Sequence, residues 1–159
     1  MKPLNKMKKS FRVANYTDFN KLQCNRLTNS SYKHVAFPLG CSRSEFQLNL
    51  DDREISLLNS KGEVIGFVRI KSIMHTHIYL DYFCINDPEA CVAPLADLQN
   101  YLIKSYDINK FFIQLLDHEK LEQQTLKSNQ YEREASLSKH VWLNDTYKDI
   151  YIYGSPLYV

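Results

Sequence analysis

The sequence predicts one mixed α/β (α+β) domain, and three observations predict it. The chain has 159 residues, the length of a single domain able to bury one substantial core. Its 44% hydrophobic and 24% charged shares match a globular protein, so disorder is excluded. Extended runs rich in Val, Ile and Tyr alternate with runs of helical period.

Residues 11–16 read as the first strand, and Thr17 with Asp18 caps a helix in which Phe19, Leu22 and Leu27 share a face. Residues 29–40, with Phe37-Pro38-Leu39-Gly40, read as a loop, and Ser44 opens a second short helix. Residues 55–58 and 63–70 form a hairpin around Asn59-Ser60-Lys61-Gly62, where Gly62 supplies a positive φ. Residues 77–85 set Ile78, Leu80, Tyr82 and Cys84 on one face against Tyr79, Asp81, Phe83 and Ile85 on the other. Apolar residues on both faces make that strand central.

A helix then starts near Val92, with Pro94 in its first turn and Leu95, Leu98, Leu102 and Tyr106 at helical spacing. Residues 110–116 form a dense apolar strand. Residues 118–128 form a polar helix that buries only Leu121, Thr125 and Leu126. Residues 131–142 and 147–153 close the chain as a hairpin around Leu143-Asn144-Asp145-Thr146. The order is strand, helix, helix, three strands, helix, strand, helix, two strands.

Residues 1–10 carry Lys2, Lys6, Lys8 and Lys9 and read as a flexible basic tail before a single domain at 11–159. No apolar run approaches the length of about 20 residues that spans a bilayer, and no apolar segment follows the basic start, so a cytoplasmic protein without a membrane partner is expected. A net charge of +2 is too mild for a nucleic-acid-binding surface. Cys24, Cys41, Cys84 and Cys91 lack zinc-ribbon or redox spacing and are expected reduced. His75 and His77 are two imidazoles without a third ligand, so no metal is expected.

The closing segment carries a more specific pattern: Glu134, Ala135, Lys139-His140, Trp142, Asn144-Asp145, Tyr147, Asp149 and Tyr153-Gly154. In this pattern and in element order the chain resembles the GNAT (GCN5-related N-acetyltransferase) superfamily. The resemblance implies a GNAT-like, mostly antiparallel central sheet flanked by helices, with a splayed parallel strand pair at 79–85 and 111–116. It implies an N-acyltransferase, most readily an N-acetyltransferase, that moves an acetyl group from acetyl-CoA or another acyl-CoA to a small-molecule or peptide amine.

The donor's pantetheine would lie along Phe83, Cys84 and Ile85, and its pyrophosphate at the start of the next helix, on Ala90, Cys91, Val92 and Ala93. Residues 86–94 depart from the family's glycine-rich loop: they hold no Gly and no basic residue, but Asp87 and Glu89. A GNAT-fold binding or structural module without donor chemistry is the alternative reading.

The resemblance places the catalytic base on the splayed strand, where Asp81 is the candidate; Asp81 paired with a Lys or Arg, or reaching solvent, is the plain alternative. The helix at 120–128 lacks the Tyr that serves the family as acid, which leaves Tyr131, at a packing position, and His140, on a strand, as candidates. Tyr32, Phe37, Asp81 and Trp142 are the expected acceptor lining. The aromatic end at 151–159 offers a surface for a homodimer.

Overall fold

A computed structural model describes residues 10–15, 17–22, 54–74, 76–143 and 145–158. The expected helix face through Leu27, the 29–40 loop, the helix at Ser44, and Tyr32 and Phe37 lie outside the described residues, as do the basic tail, Cys24, Cys41 and His75. The described strands are β1 (Phe11–Val13), β2 (Glu54–Leu58), β3 (Val64–Met74), β4 (His77–Ile85), β5 (Lys110–Leu116), β6 (Glu132–Leu143) and β7 (Thr146–Gly154). The described helices are α1 (Val92–Tyr106) and α2 (Lys120–Ser128). The strands form one sheet in the order β1-β2-β3-β4-β5-β7-β6, antiparallel except for β4 beside β5.

The hairpin between β2 and β3 closes as its residues dictate. Asn59 Oδ1 accepts the N–H groups of Lys61 and Glu63, and Gly62 sits at φ 81°. Helix α1 lays Leu95, Leu98 and Leu102 onto one sheet face, where Ile55, Leu57, Val68, Ile70, Ile113 and Tyr153 complete the main core. The opposite face carries a smaller cluster of Leu22, Phe67 and Cys84.

The first connection differs from the expected helix cap. Asp18 opens a 3-10 turn (Asp18–Lys21) and is fully buried. Its carboxylate accepts two bonds from Arg12 at 2.6 and 3.0 Å, one from the Asn15 amide and one from Ser56 Oγ. The N-cap role passes to a charged lock that ties the turn to β1 and β2, because a buried carboxylate must be paired and saturated with donors.

Two further expectations are corrected. In β4, Arg69 and Ile70 of β3 face Tyr82 and Leu80, so Asp81 is an extra residue, a β-bulge. The bulge reverses the alternation, and Phe83 and Ile85 join Ile78 and Leu80 in the main core. In α2, Leu121 is 45% exposed while Glu122 and Gln123 are buried beside Thr125 and Leu126. The inward face is polar because it meets unpaired strand backbone.

Candidate active site

The parallel pairing of β4 with β5 runs from His77↔Lys110 to Leu80↔Ile113 and stops there. Both strands continue, β4 to Ile85 and β5 to Leu116, with β5 held beyond that point by β7. The two strands therefore part at the Asp81 bulge, leaving a wedge open toward their C-terminal ends. Ligands of α/β sheets collect beyond the carboxyl ends of parallel strands, where backbone groups and helix starts converge.

Parting two strands frees their facing N–H and C=O groups, which must find other partners. At the far end of the wedge α2 and its lead-in supply them. Glu122 accepts the Ile85 N–H at 3.3 Å, Glu119 accepts the Leu116 N–H at 2.7 Å, and Gln123 donates to the carbonyls of Leu116 and Asp117 at 3.2 Å each. Gln123 also accepts the Tyr153 hydroxyl. Two residues before Ile85, the backbone of Phe83 points the same way by strand alternation, into the middle of the wedge.

The loop from β4 to α1 is closed on itself. Asp87 Oδ1 accepts the N–H groups of Glu89 and Ala90 at 3.1 Å each, the Asp87 carbonyl accepts that of Cys91, and the Glu89 carbonyl that of Val92. Helix α2 pins this loop through Thr125 Oγ1 to the Pro88 carbonyl at 2.8 Å and Asn129 to the Val92 carbonyl at 3.3 Å. Of the residues expected to hold the donor, Phe83, Cys84, Ile85 and Cys91 are buried, so their side chains are committed to packing, while Ala90 and Val92 are half-buried. The Cys91 thiol donates to the Ile65 carbonyl, and burial, with the nearby Asp87 charge, pushes its pKa up to about 12. Ala93 is exposed beside Pro94 in the first turn of α1.

The candidate catalytic residues lie apart from one another. Asp81 stands at the bulge where the wedge begins. Tyr131 is 3% exposed; its ring lies in the main core, its hydroxyl accepts Gln99 Nε2, and burial holds the phenol well above its ordinary pKa. His140 is exposed on β6, next to an irregularity where Lys139 takes φ 49° and Asp149 Oδ1 accepts its N–H at 2.8 Å. Trp142 is 59% exposed and meets the Tyr147 ring edge-on at 4.8 Å, at the tip of the last hairpin.

Sequence reasoning missed a pair at the mouth of the wedge. Asp117 and His118 follow directly on β5, with His118 Nδ1 3.7 Å from Asp117 Oδ1, and both atoms are buried with no hydrogen-bond partner among the described residues. The other Asp117 oxygen accepts the Asp149 N–H, which ties the pair to the closing hairpin. Adjacent Asp and His at a strand end were the available signal.

No protein-family model matches the sequence, and no curated protein matches it. Solved structures do match. An acetyltransferase of the GNAT family from Bacillus anthracis superposes with a TM-score of 0.59 at 10% identity, over 91% of this chain and 92% of its own. A spermidine/spermine N-acetyltransferase from Vibrio cholerae gives 0.52 at 15% identity over 65% and 67%. A ribosomal L7/L12 α-N-protein acetyltransferase solved with coenzyme A gives 0.56 at 15% identity over 65% and 61%. The chain has the fold of the GNAT acetyltransferases.

Proposed function

We propose that this chain is an N-acyltransferase that moves an acyl group from a thioester donor of the acyl-CoA type to an amine. The observation that carries the reading is the wedge between β4 and β5, opening at the Asp81 bulge within a GNAT fold. The wedge offers strand backbone to the amide-rich pantetheine arm of such a donor. Neighbours named for spermidine and for a ribosomal protein's N-terminus support an amine acceptor.

The reaction forms a C–N bond and breaks the C–S bond; the amine loses a proton and the departing thiolate gains one. Asp81 takes the amine proton, from the position where the donor carbonyl would meet the parting strands. His118, beside Asp117 at the end of β5, returns a proton to the thiolate. Tyr131 serves the core rather than the chemistry, and His140 stays at the solvent face of β6. Trp142, exposed at the tip of the closing hairpin, is the acceptor-side residue of this reading.

The donor fit is divided: the wedge suits the pantetheine arm, while the closed loop at Asp87 does not suit a pyrophosphate. That loop favours a second reading, a GNAT-fold binding module without donor chemistry. The test is thermal unfolding with and without excess acetyl-CoA, followed by calorimetry. The transferase reading expects a raised Tm and measurable heat of binding. An unchanged Tm with no heat would sink it.

A further inference from the structure

The turn that leads into α1 already holds an anion of its own, just ahead of the Cys91 N-cap. Four consecutive amides, Glu89 to Val92, are claimed within the loop, two of them by the Asp87 carboxylate at 3.1 Å. Bare N–H groups at a helix start attract phosphate; here the two amides just ahead of the helix go to a carboxylate and the next two to backbone carbonyls, and the carboxylate's charge opposes an incoming phosphate. Asp87 and Glu89 add like charge, residues 86–94 carry no Lys or Arg, and α2 holds the loop in this shape through Thr125 and Asn129. Prolines 88 and 94 remove two further donors.

We infer that Asp87 stands in for the donor's pyrophosphate, so that the protein recognises its thioester donor through the pantetheine arm and takes little affinity from the nucleotide. The inference rests on the acyltransferase reading and narrows its donor class to pantetheine thioesters, whether or not a nucleotide is attached. The wedge is the contact that remains, lined by β4 up to Ile85 and by β5 up to Leu116.

Calorimetry with coenzyme A and with pantetheine, on the native chain and on Asp87→Ala, tests it. The native chain is expected to bind both with dissociation constants within about threefold of each other, and Asp87→Ala to bind coenzyme A at least about tenfold more tightly with pantetheine unchanged. Native binding of coenzyme A tenfold or more tighter than pantetheine, unaltered in Asp87→Ala, overturns the inference and leaves the transferase reading standing. Coenzyme A binding gained only in Asp87→Ala, with the native chain binding neither probe, overturns the pantetheine recognition and the transferase reading together. No binding by either protein overturns both. Asp87→Asn keeps the acceptor oxygen and loses the charge; should Asp87→Ala fail to fold, Asp87→Asn must still gain part of the coenzyme A affinity, and no gain overturns the inference.

Discussion

The Glu122 carboxylate, on α2, accepts the backbone N–H of Ile85, at the open end of β4, at 3.3 Å and is itself only 6% exposed. This contact closes one side of the wedge, because Ile85 has no strand neighbour on that flank. Glu122→Ala leaves the N–H buried and unsatisfied, which costs about 1–3 kcal/mol. In a chain of this size that is a Tm drop of about 3–10 °C. Glu122→Gln keeps an acceptor and is expected to lose less than half as much. Equal losses in the two variants would show that the bond contributes nothing.

Two glycines separate close packing from incidental contact. A Cβ on Gly66 would stand 3.1 Å from Cys91 Sγ, Ile85 Cγ2 and Leu57 Cδ1, three buried side chains that cannot all retreat. Gly66→Ala is expected to cost about 1–3 kcal/mol through overpacking. The nearest atoms to a Cβ on Gly154 would be those of the Glu134 carboxylate, the far end of a flexible, exposed side chain that pairs with Lys110 at 2.6 Å. Displacing it forfeits a surface ion pair, so Gly154→Ala is expected to cost below about 1 kcal/mol. Urea denaturation of both variants checks the order.

Much of the scaffold was legible in the sequence, and these residues show why. Leu95, Leu98 and Leu102 at helical spacing, with Pro94 in the first turn, place α1 at Val92–Tyr106, where it lies. The dense apolar run at Lys110–Leu116 reads directly as β5. The closing pattern also has a structural basis: Glu134 covers Gly154, while Asp149 joins the Lys139 irregularity to the end of β5. The site was less legible. Glu122 and Gln123 look like solvent-facing helix residues; the backbone that buries them comes from the split strands, and for Ile85 from 37 positions away. The Asp81 bulge is an extra residue against a partner strand, invisible to a period-2 reading of one strand. Asp87 was legible as a helix-start charge, but its two bonds to the loop amides depend on a turn that spacing does not reveal.

The lock at Asp18 makes stability acid-sensitive. Burial pushes its pKa up, but Arg12, the Asn15 amide and the Ser56 hydroxyl outweigh burial and hold the carboxyl well below the usual range. A lowered folded pKa means that the unfolded state binds the proton first. The contribution is therefore complete above about pH 4 and is lost as pH falls from there through the folded value. Asp18→Asn is expected to cost about 2–4 kcal/mol at neutral pH, since it leaves Arg12 without its charge partner. The gap between the native chain and Asp18→Asn should narrow at pH 3 and below. A gap that is constant with pH would contradict the ionised lock.

The proposed chemistry predicts a specific kinetic signature. Asp81→Asn and His118→Gln should each lower kcat by about 10²–10⁴-fold with KM little changed, because each removes a proton-transfer group. Asp117→Asn should lower kcat less than His118→Gln, since Asp117 transfers no proton in this scheme. His140→Gln and Tyr131→Phe should leave kcat within about threefold, as neither faces the wedge in this account. Loss of kcat in His140→Gln equal to that in His118→Gln would move the acid to β6.

The central claim is that the split between β4 and β5 is where the thioester donor lies, and backbone amide chemical shifts test it most directly. On titrating acetyl-CoA into the labelled protein, the account predicts the largest shifts at residues 81–85 and 113–118, with smaller ones at 89–92, where the amides are already claimed by Asp87 and its neighbours. Shifts confined to another surface, such as the cleft lined by Gln99, Asn100, Asn129 and Gln130, would contradict it.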